Sequence, residues 1–477
     1  MPHCKNTQTI REIAKCFEKN TEKAMNDIAN TIKALKVDDR SIGVKSKANS
    51  RLKLSDKLAI MLLFPFFSIA NISHYVGSKL SALCQPGCKD MFYELQKSPV
   101  IDWRSLLYIL TRRMIRRAVQ ESSPDENAVR CLIADDTDLP KRGKVIELVS
   151  RIYSHVTHTY NYGYKALMLG YNDGKSFFAL DFSLHGEAGK DGKYGLNSKQ
   201  RKAQYKKKRE AGNPDKVRRD EYFSKKTDNL MTMIRRAIEK GVRFDYLLVD
   251  SWFTCKELVR FIKTRRIGCH FLGMVKLGKT NYELDGKKVS INSIIASISG
   301  AKYSRTFKCW HTERVVKFDG MEVKLIFCRT SKKAPWKALL TTDLAIKFNK
   351  AYKTYATRWT IEAFHKEAKQ YLNLGKCQSQ DFDAQIAATT ISLIQYNVLS
   401  LVRRINDYET IGGLLAKAID NAVEKTVLIK ILDMLISVIM EIANYFDTDT
   451  DTIFEKCIND NEKFNKFINI AAFREVD

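Results

Sequence analysis

Two short apolar runs, Cys131 to Ala134 and Tyr246 to Val249, each stop on acid: Asp135-Asp136 after the first and Asp250 after the second. Between them, Tyr164 to Tyr171 and Phe177 to Leu184 read as strands, joined through Asn172-Asp173-Gly174-Lys175, a strong hairpin signal. Leu230, Met233, Ile234, Ala237 and Ile238 recur at i, i+3, i+4, i+7 and i+8, the pattern of an amphipathic helix, which Gly241 closes. Thr254 to Thr264 reads as a second helix and His270 to Val275 as another strand. The order is therefore strand with acids at its end, hairpin, helix, strand with an acid at its end, helix, strand. That is an α/β chain, and open α/β sheets place ligands at the ends of their strands.

A third acid lies further on. Tyr355 to Lys369 has no Gly or Pro, and good helix formers follow Glu362, so it reads as a helix. At roughly 100° per residue, Tyr355, Arg358, Glu362 and Lys369 share an arc of about 60°. A phenol, a guanidinium, a carboxylate and an ammonium on one side suit a metal and a phosphate arriving together. The same face can also be a solvated one with ordinary ion pairs, such as Glu362 with Lys366 at i,i+4.

Each acid alone is weak, because strand-end aspartates commonly cap the following turn. Together, Asp136, Asp250 and Glu362 can hold two divalent cations about 3.5–4 Å apart for an in-line phosphoryl displacement. Mg²⁺ fits, as it prefers oxygen ligands and keeps waters that a substrate can displace. Composition points the same way. The chain has 81 Lys and Arg against 54 Asp and Glu, a net charge of +27. A polyanionic partner follows, nucleic acid first and an anionic membrane surface second, unless the protein is merely basic.

Other classes recede. The longest apolar run, Leu58 to Ile72, is short for a bilayer and contains Pro65, so a buried helix pair broken at the proline is expected rather than an anchor. The N-terminus is polar and basic, with no secretory signal. The 11 cysteines are scattered; Cys84 and Cys88 stand close, but no second pair or His cluster completes a zinc site. Reduced thiols in a cytoplasmic protein are expected.

The domain reading is as follows. Residues 1–125 form a helical, basic DNA-binding region, with helical spacing at Ile10, Ile13, Ala14 and Phe17 and turns near Pro65, Gly77 and Pro86–Gly87. Its Trp103 to Val119 segment carries Arg104, Arg112, Arg113, Arg116 and Arg117, and either lies in a DNA groove or packs with its arginines in solvent. Residues 126–276 begin a catalytic core. Within it, Lys199 to Lys226 has 12 Lys or Arg against 4 acids and reads as an exposed loop, tracking a phosphate backbone or simply solvated. Residues 277–342 are β-rich, with turns at Asp285-Gly286 and Asp319-Gly320; 343–405 complete the core, and 406–477 form a helical C-terminal region.

At this point the chain resembles DDE transposases of bacterial insertion sequences, in the subgroup with a Tyr-Arg-Glu-Lys signature. Tyr355, Arg358, Glu362 and Lys369 match that signature at every spacing, and the string from Arg358 to His365 is also similar. Ala134-Asp135-Asp136-Thr137 resembles the region of the first catalytic acid; Asp136, before Thr, is the first choice and Asp135 the fallback. The run ending at Asp250 is similar to the strand carrying the second. The resemblance covers Val129 to Arg404 and implies an RNase H-like catalytic core, interrupted by the β-rich insertion and flanked by helical regions.

It further implies cleavage of element ends and transfer of 3′-OH ends into target DNA. The cofactor would be two Mg²⁺ ions, with Mn²⁺ able to substitute, and the assembly a synaptic homodimer on double-stranded DNA at the nucleoid. Asp136, Asp250 and Glu362 would hold metal, while Tyr355, Arg358 and Lys369 position phosphates. Trp336 resembles an insertion-domain tryptophan that stacks an extruded base, or else packs in the insertion's core. Lys276 sits where relatives carry a DNA-contacting arginine. His365 orients a carboxylate or a phosphate, or is structural, and Trp359 is expected to pack behind the site. Two alternatives stand beside this reading: an RNase H-like nuclease that cuts without joining, and a non-catalytic protein that binds element ends.

Overall fold

A computed structural model of the chain describes residues 23–46, 52–78, 80–81, 88–155, 157–264, 268–278 and 280–422, with positions 438, 441, 442 and 445. The expected helix through Ile10 to Phe17, the Pro86–Gly87 turn, Cys84 and most of 406–477 lie outside the described residues.

The expected hairpin and strands assemble around one central strand. β1 (Cys131–Pro140) pairs antiparallel with β3 (Thr159–Asn172), which pairs with β4 (Phe177–His185) across the Asn172–Lys175 turn. On its other side β1 runs parallel to β5 (Tyr246–Val249), and β5 runs parallel to β6 (His270–Met274). The spatial order β4-β3-β1-β5-β6, with the first three antiparallel and the rest parallel, is that of an RNase H-like core. One strand escapes the sequence pattern: β2 (Ser150–Ser154), an edge strand that pairs with the polar beginning of β3.

The β-rich insertion is also present. β7 (Asn281–Leu284) and β8 (Lys287–Ser290) turn at Asp285-Gly286, and β10 (Cys309–Phe318) and β11 (Met321–Arg329) turn at Asp319-Gly320. All four turn residues have positive φ, between 51° and 78°, which is why Asp-Gly occupies both places. With β9 (Lys302–Ser304) on the flank of β10, the segment closes on β12 (Lys337–Thr341), whose antiparallel pairing with β6 makes insertion and core one continuous sheet.

Six helices position the site: α1 (Trp103–Glu121), α2 (Lys226–Glu239), α3 (Lys256–Thr264), α4 (Phe348–Ala356), α5 (Trp359–Tyr371) and α6 (Phe382–Ile405). Side chains alternate across a strand, so Ile133, Asp135 and Thr137 face one way and Ala134, Asp136 and Asp138 the other. α5 and α6 cover the first face. Phe364 of α5 stacks on Phe177 of β4 at 5.3 Å, and Asn397 of α6 bonds the backbone of Ala179. Gly170 makes room for that stack, since a Cβ there would lie 2.0 Å from the Phe177 ring. α2 covers the second face, with Asn229 on His185 and Lys226 on Asp136.

α6 is the only helix among the described residues long and apolar enough to cross a membrane, and 94% of its apolar window is buried inside the molecule. α1 is likewise a core element rather than a free groove reader: Leu106, Leu107, Leu110, Met114 and Ala118 are buried, and Arg104 is spent on Asp181 and Glu221 at 2.9 and 2.6 Å. The Leu58–Ile72 run breaks at Pro65 as expected, from helix Leu54–Leu63 into a 3₁₀ turn, Phe64–Phe67.

The basic segment Lys199–Lys226 departs from an exposed loop. It contains helices Ser198–Ala203 and Pro214–Glu221; Lys199, Arg201, Lys202, Lys206 and Lys208 are exposed as expected, but the Arg209 side chain is only 2% exposed, forked onto Glu147 at 2.6 Å and Asp383 at 3.0 Å. Charge counting alone does not reveal this, because two of the acids around Arg209 lie 62 and 174 residues away, beside the nearby Asp215 at 3.6 Å.

Candidate active site

The parallel ladder of β1 and β5 ends at Ala134 opposite Val249. Asp250 therefore leaves β5 level with Asp135, and the pleat that pairs Ala134 with Val249 puts the next residues of both strands on one face. β1 itself does not stop at the acids, as the apolar run suggested; it continues to Pro140 because β3 still supplies partners, Asp135 opposite Met168 and Asp136 opposite Leu167. Asp250 also works locally: its Oδ1 accepts the amides of Trp252 (3.0 Å) and Phe253 (3.2 Å).

The Tyr355–Lys369 signature is not one helix. α4 ends at Ala356 and α5 begins at Trp359, with Thr357 and Arg358 in a tight turn whose hydroxyl, Thr357 Oγ1, bonds Thr354 O at 2.7 Å and competes with the helix ladder. The four side chains still converge. Tyr355 donates its hydroxyl to Val249 O at 3.2 Å, pinning the end of β5. Arg358 donates to Asp135 Oδ2 at 3.3 Å and to Glu362 Oε1 at 2.5 Å. Lys369 donates to Thr137 Oγ1 at 2.6 Å. The hydrogen bonds from Arg358 and Lys369 to this part of β1 both fall on the Asp135–Thr137 face.

Asp136 follows Asp135 on β1. Its side chain crosses to the other face and pairs with Lys226 of α2. Arg358 thus links Asp135 to Glu362, while the charge of Asp136 bears on Asp250 and that of Asp250 on Asp135, so Asp136 also lies beside the second acid.

Electrostatics mark the same spot. Burial, reinforced by the charge of Asp250 and opposed by Arg358, pushes the Asp135 carboxyl up to about 7. Burial also raises Asp250. Burial lifts Tyr355 to about 12 and lowers Lys369, whose ammonium is held away from bulk water. Two buried carboxylates that resist ionising together are a donor set that a hard cation would relieve. Among the described residues no group of three His, Cys, Asp or Glu is drawn close enough to hold an ion as it stands. Arg358 occupies the space between two of them instead.

The remaining expected residues divide. Lys276 is exposed just beyond β6, at the same end of the sheet. Trp336 precedes β12 at this end too, but it is 9% exposed and lies under the Arg329 guanidinium, 4.3 Å from the ring centroid, so it packs within the insertion. His365 is buried, with its Nε2 unpartnered and its imidazole driven down to about 3 by burial, which leaves it neutral and structural. Trp359, expected to pack behind the site, is 65% exposed. Trp252, two residues beyond Asp250, went unremarked in the sequence; it is 55% exposed, and its proximity to the second acid was the available signal.

Residues 90–285 match the family model described as DDE superfamily endonuclease, and residues 215–398 match the one described as Transposase DDE domain. The two matches overlap and together span residues 90–398. The first match spans Asp135, Asp136 and Asp250, and the second spans Asp250 and Glu362. No curated protein matches the chain. Among solved structures, the chain is similar to piggyBac transposase in a synaptic complex with hairpin DNA, at 13% identity and a TM-score of 0.41, over 84% of this chain and 78% of that one.

Proposed function

We propose that this protein is a transposase of a bacterial insertion sequence, of the subgroup with the Tyr-Arg-Glu-Lys signature, that cleaves element ends and joins their 3′-OH ends to target DNA. The observation that carries the reading is the convergence of Asp135 and Asp250, from two parallel strands, beneath the helix bearing Glu362. We assign the first acid to Asp135, because Arg358 bonds it and Glu362 together; Asp136, whose charge also bears on Asp250, is the alternative.

Asp135, Asp250 and Glu362 would hold Mg²⁺ or Mn²⁺, which when bound activates the attacking oxygen and neutralises charge at the phosphate. Mg²⁺ takes only one or two carboxylates and fills its shell with waters and substrate oxygens, so a ready-made three-acid cage is not needed. The chain's own residues supply position. Arg358 carries a planar fork suited to phosphate, and the carboxylates it now bridges are those that a cation would neutralise, freeing that fork. Tyr355 fixes the β5 end, and so the level of Asp250. Lys369 and Lys276 add point charges along the same edge, for DNA arriving at a synaptic homodimer.

The test is an assay with Mg²⁺ on labelled duplex carrying the DNA that flanks the protein's own gene. Metal-dependent nicking and joining, lost in Glu362→Ala, is the expected result. Nicking without joining would make it a nuclease, and binding without cleavage an end-binding protein.

A further inference from the structure

We infer that Trp252 and Lys226 form a nucleotide ledge beside the acids, where an unpaired DNA base stacks on the indole and its phosphate meets the ammonium. The inference rests on the transposase reading for its ligand, DNA, but on separate residues for its chemistry. Trp252 is 55% exposed. Leaving so much indole in water forfeits stabilisation that burial would give, and the ring is nonetheless held in place. Its amide bonds Asp250 Oδ1 at 3.0 Å, and the buried Phe253 ring meets it edge-on at 4.6 Å. Lys226 Nζ lies 4.7 Å from the indole centroid, and its other partner is Asp136.

An aromatic plane with a cation at its side matches a ligand having both a flat π-face and a negative charge, and a nucleotide has both. Paired bases inside a duplex hide their faces, so the occupant is a base out of the stack, at a frayed or opened end. The other two tryptophans near the site fit less well. Trp336 is covered by Arg329, and the Arg358 beside Trp359 bridges two carboxylates, Asp135 and Glu362, whereas the ion pair described for Lys226 is with Asp136. The ledge also gives Asp136 a role: it orients Lys226 from the face opposite Glu362.

The experiment measures binding of fluorescein-labelled oligothymidylate and of a blunt duplex by fluorescence anisotropy, for the parent and for Trp252→Ala, Trp252→Phe and Lys226→Met, with circular dichroism to confirm folding. Stacking on one base predicts roughly tenfold weaker single-strand binding for Trp252→Ala, with duplex binding unchanged and Trp252→Phe close to the parent. Lys226→Met should flatten the log–log salt dependence by about 0.7, the loss of one single-strand phosphate contact. Parent-like single-strand binding by a folded Trp252→Ala, or equal loss on both probes, overturns the ledge. Mg²⁺-dependent cleavage by the parent preparation is scored separately. If the parent cleaves while Trp252→Ala binds normally, the ledge fails alone; if the parent binds through Trp252 yet never cleaves, the transposase reading fails alone.

Discussion

Arg358 bonds Asp135 at 3.3 Å although 223 residues separate them, and the same guanidinium bonds Glu362 at 2.5 Å. One cation thus sits between two acids proposed to take metal. Coulomb attraction to Arg358 stabilises both carboxylates in the metal-free protein, and Mg²⁺ would compete for them.

Removing that cation should therefore lower metal-free stability and raise metal affinity. Arg358→Ala is expected to melt earlier than the parent without metal, because it leaves the Asp135 and Glu362 carboxylates without their cation. Added Mg²⁺ should restore more of the loss than it adds to the parent. Calorimetric titration with Mn²⁺ checks the second half: tighter binding in Arg358→Ala agrees, and weaker binding makes Arg358 a supporting residue of the metal site.

The raised Asp135 carboxyl makes stability depend on pH in a stated direction. Its folded value is about 7 against an ordinary 3.8, so the native state binds more protons than the unfolded state between those limits. Stability from this group is full below about 4 and is lost as pH rises through 7. Thermal melts in metal-free buffer should fall across that range, with a shallower fall in Asp135→Asn. A slope identical in the two proteins would remove Asp135 as its source.

Arg209 tests how the basic segment is used. Its guanidinium is buried between Glu147 and Asp383, so Arg209→Ala should destabilise the fold by about 3–5 kcal/mol, the usual cost of orphaning a buried charge partner. Denaturant melts measure this. An Arg209→Ala protein as stable as the parent but weaker on DNA would return the segment to the exposed DNA-tracking role that its composition suggested.

Local chemistry made much of the core legible in advance. Asn172–Lys175 and the two Asp-Gly turns demand backbone conformations that few residues adopt, so they fix hairpins from sequence alone. The spacing of Tyr355, Arg358, Glu362 and Lys369 brings the four together even though Thr357 and Arg358 interrupt the helix. Facts that depend on what packs against an element were not legible. Alternation along β1 separates Asp135 from Asp136, but only the placement of Arg358 shows that Asp135 shares a hydrogen-bond donor with Glu362. Trp336 is covered by Arg329, and Arg209 is forked onto Glu147 and Asp383, contacts that spacing along the chain does not announce.

We propose Asp135, in place of Asp136, as the acid that works with Asp250 and Glu362. Asp135→Asn and Asp136→Asn should be compared in one Mg²⁺-dependent cleavage assay on the gene-flanking DNA, after both are shown to fold. Loss of a metal ligand forfeits several kcal/mol of transition-state stabilisation, so Asp135→Asn should cleave at least about a thousandfold more slowly. Asp136→Asn, which only loosens Lys226, should stay within about tenfold of the parent, since one surface ion pair contributes about 1 kcal/mol or less. The reverse ranking, with Asp136→Asn inactive and Asp135→Asn active, would contradict the account.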